Sequence, residues 1–374
     1  MIKKLGFILF FVFLFQSVIF ASPNVKASSA ILFDSESGRV LWGKNQFEPM
    51  AMASTTKIMT AIVAIENCDL KKEVTVSKRA SLAPPVKMKL KEGEKITLEA
   101  LLYALMLQSS NDAAVAIAEG VAGSVESFAE MMNQKAKEIG CLDTVFVTPN
   151  GLDKGDHHST AYDLALIGSY AIKNEKFIEI TNTRQINVKS DKTTYSITNK
   201  NRLLDSYKGA IGIKTGFTGK AGHCFVGAVK RGDMTLISVV LASGWGSQGK
   251  NNKWTDTKEI LDFGFDNYEK YDIIGKDISA KVEKGKKDFI KVKYENSVSA
   301  VLTKAEFERV QFFNEIKKDI KAPISKGEIL GHSLIYIDDF CIGKVNLISC
   351  EDIERLGLFE NFENLFLEWI KIIC

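Results

Sequence analysis

The sequence predicts an α+β fold: an antiparallel sheet built from N- and C-terminal strands of one catalytic domain and packed with a helical subdomain, then a small all-β domain and an amphipathic C-terminal helix. Three observations carry this. Strand-like apolar runs occur at residues 30–33 and 39–42 and again, far away, at 210–215, 223–229 and 235–241. Between the two groups the apolar positions recur at three- and four-residue steps, the spacing of buried helices. Past about Lys276 the pattern changes to the alternation seen in Phe289-Ile-Lys-Val-Lys-Tyr294.

The first two runs bracket the turn-rich tract Asp34-Ser-Glu-Ser-Gly38 and read as a hairpin. From Met52 to Ile65 the residues Ile58, Met59, Ile62, Val63 and Ile65 predict a central helix. Residues 71–94 are charged and hold Pro84-Pro85, which suits irregular structure or short strands. Leu98, Leu101, Leu102, Leu105 and Met106 mark a second helix that stops at Gln108, with Asp112 placed to cap a third. Helical rhythm returns at 128–139, closed by Gly140, and at 161–171. After a polar link at 190–201 come three strands separated by turn tracts, an antiparallel meander, and a helix over 257–268.

At 374 residues with 45% hydrophobic content, the chain is long enough for a sizeable core and two domains. A net charge of +3, with acids and bases intermixed, gives no argument for nucleic acid. Lys3 and Lys4, an apolar run at 5–15 and small residues near Ala21 and Ala27 form the order of a secretory signal, cleaved after 21 or 27; an uncleaved anchor is the alternative. The expected division is a signal peptide at 1–27, a catalytic domain at 28–272, a β domain at 276–347 and a tail helix at 354–374. Phe359, Phe362, Phe366, Trp369, Ile370 and Ile373 give that tail one apolar face, which suits contact with a membrane surface; Glu360, Glu363 and Glu368 oppose an anionic one. Export to the outer face of the cytoplasmic membrane or the cell wall follows.

No Cys-x-x-Cys pair occurs among the six cysteines, and His157-His158 lacks a third ligand at metal spacing, so neither a metal nor any other cofactor is expected. Cys341 and Cys350 could meet across a hairpin. One histidine of the pair is expected packed and the other exposed.

The chemistry concentrates at Ser54-Thr-Thr-Lys57. Three residues apart, the hydroxyl and the amine share one face of a helical turn. A serine becomes a nucleophile when a base takes its proton, and a lysine is that base when burial or a second cation holds it neutral. A helix mouth also brings free amides for an oxyanion. Ser-x-x-Lys alone is a weak signal, equally an N-cap. Its weight comes from Ser109-Ser-Asn111, 55 residues on, and Lys214-Thr-Gly216, 105 residues after Ser109.

With these motifs, and with Ala30-Ile-Leu-Phe-Asp34 and His158-Ser-Thr-Ala161, the chain resembles the low-molecular-mass penicillin-binding proteins of the serine D-alanyl-D-alanine carboxypeptidase (peptidase S11) type. The resemblance implies a penicillin-binding/β-lactamase-like fold and, as partners, a peptidoglycan stem peptide ending in D-Ala-D-Ala and β-lactams as covalent inhibitors. It implies Ser54, Lys57 and Ser109 as catalytic residues: nucleophile, base and proton relay to the leaving amine. It implies Asn111, Lys214, Thr215, Gly216 and Phe217 as substrate-binding, Asn111 also positioning Lys57, with the amides of Ser54 and Phe217 as oxyanion hole. Two departures stand out. Phe217 occupies a position where several relatives carry His or Thr, and in the neighbourhood where some place a carboxylate-binding arginine the candidates to substitute are Lys250 or Lys253, or no residue at all. A class A-like β-lactamase is the main alternative, but a deacylating Glu-x-x-Leu-Asn run is missing. Large extra domains, usual in transpeptidases, are absent. A non-catalytic penicillin-sensing or wall-binding protein would not need both lysines.

Overall fold

Residues on the meander strands are apolar almost without interruption, and a run like that needs cover on both faces of the sheet. The computed structural model describes residues 22–357 and supplies that cover. Five antiparallel strands lie in the order Val40–Lys44, Ser29–Asp34, Met234–Leu241, Gly222–Arg231, Ala210–Thr218. Ser29–Asp34 pairs with Met234–Leu241 in register Ala30 to Val240, so strands more than 200 residues apart close one sheet. Its side chains alternate: Ile31, Phe33, Val226 and Val239 face the helical layer, while Ala30, Leu32, Phe225 and Val240 face the other way.

The helical layer is centred on Lys57–Asn67, which packs against Asn111–Ala122 and Val125–Ile139. On the opposite face lies Gly246–Asn267, a helix of 22 residues with Ile260 and Leu261 inward. Its first half is polar, and apolar periodicity shows only the second half; the expected helix at 257–268 was therefore too short. The polar link expected at 190–201 contains part of a hairpin, Gln185–Lys189 with Thr194–Thr198. Its strands are polar on their exposed faces and bury only Val188 and Ile197 on the other, a weak alternation.

A second unit follows. Glu269–Ile273 pairs with Val298–Leu302, and a five-stranded antiparallel sheet runs in the order Ile278–Lys281, Phe289–Tyr294, Phe340–Ser349, Ile329–Ile337, Val310–Ile316. It has its own apolar core. Arg39 joins the units: its guanidinium pairs with Glu306 and donates to the Val301 carbonyl at 2.9 Å. Cys341 and Cys350 lie along one strand and its immediate exit and are free thiols, so they do not bridge a hairpin.

Residues 24–27 belong to the fold. Val25 and Ala27 are buried, and the amides of Lys26 and Ala27 donate to the Asp256 carboxylate at 3.0 and 2.9 Å. Of the signal peptide expected at 1–27, residues 1–21 lie outside the described residues, as do residues 358–374 of the tail helix expected at 354–374. Residues 354–357 are not helical; the Leu356 amide donates to the Lys284 carbonyl at 2.9 Å. No described helix is long and apolar enough to cross a membrane.

Phe33 ties the sheet to the helical layer, buried and edge-on to Tyr162 at 5.9 Å. Phe33→Ala should lower unfolding free energy by about 3–5 kcal/mol in a urea titration. A loss under about 1 kcal/mol would mean the layers do not depend on this contact.

Candidate active site

Ser54 sits in a 3-10 turn, Ala53–Thr56, that leads directly into the helix Lys57–Asn67. The tightened turn brings the Lys57 Nζ to 2.9 Å from Ser54 Oγ. The turn is held from below. Ala53 takes a left-handed φ of +49°, and Gly151 packs so closely that a Cβ there would stand 2.0 Å from the Ala53 carbonyl oxygen. His157 props the same turn: the Val147 N–H donates to its Nδ1 at 3.0 Å, so Nε2 carries the proton and donates to Thr56 Oγ1 at 2.8 Å. Burial pushes His157 down to about 4, which keeps it neutral. Of the two histidines it is the packed one, with His158 partly exposed.

Lys57 is fully buried, and its amine meets three acceptors: Ser54 Oγ, Asn111 Oδ1 at 2.9 Å and the Asn150 carbonyl. Asn111 cannot turn over, because its Nδ2 donates to the carbonyls of Pro84 and Pro85 at 3.1 and 3.0 Å. A neutral amine has two hydrogens and one lone pair. The two hydrogens belong to Asn111 and Asn150, which only accept there, so the lone pair is left facing the Ser54 hydroxyl. Burial, then repulsion by Lys200, brings Lys57 down to about 7 against an opposing pull from Asp112. Asn111 itself is spent on this network. The expected contact with Lys57 is present, and both Asn111 amide hydrogens are engaged inside the protein by the two proline carbonyls.

The link between the second and third helices also departs from its expected form. Leu98–Tyr103 passes into a wider π turn, Ala104–Gln108, which Ser109 ends in the left-handed region at φ 67°. Ser109 is half-buried two residues before Asn111; among the described residues it makes no hydrogen bond to Ser54 or Lys57. Asp112 does not cap the third helix, because Ser110 is its N-cap. The Asp112 carboxylate instead accepts the amides of Met88, Lys89 and Leu90 at 2.8–3.1 Å, clamping the segment after Pro84-Pro85 onto the site.

Lys214, Thr215, Gly216 and Phe217 lie on the edge strand of the sheet, whose outer side has no partner strand among the described residues. Gly216 is pressed against the nucleophile turn: a Cβ there would be 3.1 Å from the Ser54 amide nitrogen. Lys214 is buried, donates to the Thr215 carbonyl at 3.0 Å, and is held well below the ordinary lysine value by burial and then by Lys57, Lys200 and Lys253. Thr215 is partly exposed and Phe217 half exposed. Lys253, buried on the long helix, is brought down to about 8, chiefly by burial. Lys250 is exposed.

Lys200, which motif reading did not single out, stands close enough to Lys57 to repel its charge. Its amide and amine hold the carbonyls of Leu107 and Gln108 at 3.0 and 2.9 Å, at the end of the π turn. No spacing singles it out in Asn199-Lys-Asn201. Asn150 was missed for another reason, since it acts through its main-chain carbonyl.

A buried amine on a serine hydroxyl, beside main-chain amides and a cationic edge strand, defines a serine acyl-transfer enzyme. Comparison with known proteins says which family. The profile described as D-alanyl-D-alanine carboxypeptidase (peptidase S11) matches residues 16–244, and that of the Penicillin-binding protein 5 C-terminal domain matches 268–355. The chain belongs to the S11 D-alanyl-D-alanine carboxypeptidase family. It is 33% identical to D-alanyl-D-alanine carboxypeptidase DacF of Bacillus subtilis, over 92% of this chain and 90% of that one. Identity to DacC of Escherichia coli is 32%, over 93% and 91%. Penicillin binding protein 5 from Haemophilus influenzae superposes with a TM-score of 0.72 at 29% identity, covering 90% of this chain and all of that one. A mutant of Streptomyces K15 DD-transpeptidase gives 0.62 at 33%, covering 66% of this chain and 100% of that one.

Gly151→Ala should disturb the nucleophile turn twice, through a left-handed φ of +80° and through the clash with Ala53. The expected cost is about 2–4 kcal/mol of stability, with slower labelling of Ser54 by a fluorescent penicillin. Wild-type labelling and melting would show that the turn tolerates a Cβ there.

Proposed function

We propose that this protein is a serine D-Ala-D-Ala carboxypeptidase that removes the terminal D-alanine from peptidoglycan stem pentapeptides. The observation that carries the reading is the Lys57 amine held against Ser54 by two fixed acceptors. Ser54 Oγ attacks the carbonyl of the penultimate D-alanine while its proton passes to Lys57. The oxyanion forms beside the amides of Ser54 and Phe217, a role supported by the packing of Gly216 on Ser54. The amide C–N bond then breaks, and the leaving nitrogen takes a proton by way of Ser109. Water hydrolyses the ester, regenerating Ser54 and releasing a tetrapeptide.

Asn111 positions Lys57. Thr215, Lys214 and Lys253 hold the terminal carboxylate, whose negative charge would favour the charged form of both lysines, which burial and then neighbouring cations disfavour. Lys253, being buried beside Lys214, suits this better than exposed Lys250. The enzyme acts outside the cytoplasm, on a chain processed after Ala21; cleavage after Ala27 would strip out residues that pack in the fold. The apolar face of residues 359–373 supports contact with a membrane surface.

Similarity to a DD-transpeptidase carries a second reading, in which an amine replaces water at the acyl-enzyme. One assay separates them. A synthetic stem pentapeptide incubated with the enzyme and an acceptor amine should lose one alanine by mass spectrometry, and Ser54→Ala should leave it intact. A product joined to the amine would favour transpeptidation, and an unchanged peptide would sink both.

Acylation should also follow the protonation of Lys57. Below about pH 7 the amine is charged and has no lone pair, so the penicillin-labelling rate should fall about tenfold per pH unit there. Lys200→Gln removes a repelling charge, raises the Lys57 value and should move this limb to higher pH. A limb unmoved by that change would remove Lys200 from the electrostatics.

A further inference from the structure

Phe217 presents an exposed ring where the family's chemistry needs only its backbone amide. Along the edge strand, side chains two residues apart share a face, so its ring lies on the face of Thr215, about 7 Å farther along. That ring is 50% exposed. Its support is rigid. His223, its register partner across the strands, lies against it with centroids 4.4 Å apart at 31°. His223 is itself pinned: its amide donates to the Gly244 carbonyl at 3.0 Å, its carbonyl accepts from Ser243 at 2.9 Å, and its Nε2 reaches the Gly246 carbonyl at 3.1 Å. Burial, then Lys253, holds the imidazole below its ordinary value, so the ring behind Phe217 is an uncharged surface.

We propose that Phe217, backed by His223, is the side wall for the departing C-terminal residue, and that the enzyme accepts terminal D-residues whose apolar side chains are larger than methyl. The inference rests on the carboxypeptidase reading, which puts the terminal carboxylate at Thr215. From a residue held there, a methyl extends only about 1.5 Å beyond its Cα. A side chain that short covers little of the half-exposed Phe217 ring. A leucine or methionine side chain is long enough to lie along it. Two residues farther on, a Cβ at Gly219 would meet no atom within 4 Å, while the Trp245 indole N–H donates to the Gly219 carbonyl at 2.8 Å on the far side of the turn.

The test uses pentapeptides ending in D-Ala, D-Leu and D-Met, with loss of the terminal residue followed by mass spectrometry for the wild type, Phe217→Ala and Phe217→Tyr. The wild type should process all three. In Phe217→Ala the kcat/KM ratio of D-Leu to D-Ala peptide should fall by about tenfold or more, and Phe217→Tyr should restore it. The ratio cancels any change in the shared oxyanion amide. A ratio unchanged within about twofold, or a wild type that releases D-Ala but leaves D-Leu and D-Met peptides intact, overturns the wall. Release from none of the three overturns the carboxypeptidase reading and the wall together.

Discussion

A lysine amine with no access to water is the constraint around which this molecule is arranged. Taking an ammonium out of solvent is expensive, and among the described residues Lys57 has no carboxylate in contact to offset it. The group responds by releasing its proton more readily, and the acceptors around it decide where the freed lone pair points. Each acceptor comes from a different part of the chain: the 3-10 turn, the start of the helix Asn111–Ala122, and the loop around Asn150. Three segments must therefore be placed to within tenths of an ångström, because hydrogen bonds weaken steeply with misalignment.

Much of the surrounding structure serves that placement. His157 and Gly151 shape the nucleophile turn, Asp112 and Asn111 clamp the segment after Pro84-Pro85, and Lys200 ties down the end of the π turn. The edge strand closes the arrangement from the fourth side, with Gly216 allowing main chain to meet main chain. Like charges are also gathered here: Lys200, Lys214 and Lys253 lie close enough to influence one another or Lys57. Such a cluster is poorly stable by itself and favours an anionic guest. Preorganisation for the substrate is thereby built at some expense to the free protein.

Residue chemistry and approximate architecture were written in the sequence. Ser54, Lys57, Asn111 and Lys214 could be read from spacing and motif because a serine-lysine pair needs adjacent turns of one helix, and that demand is local. The distant strands, the central helix and the β module were legible because burial leaves a period in the apolar positions. Elements with little apolar signal were not: the polar half of the helix Gly246–Asn267, the hairpin at 185–198 and the π turn before Ser109. Asp112 was misread because a carboxylate near a helix start suits a cap equally well as a clamp on another segment.

The order of apolar and polar residues by itself determined which elements form and which side chains could react. Tertiary structure alone decided what those side chains are worth. Whether Lys57 is a base depends on burial and on Lys200, which way the Asn111 amide faces depends on two proline carbonyls, and whether Asn150 matters depends on where its carbonyl points. Burial and through-space charge are sums over neighbours remote in the chain, so no local pattern records them.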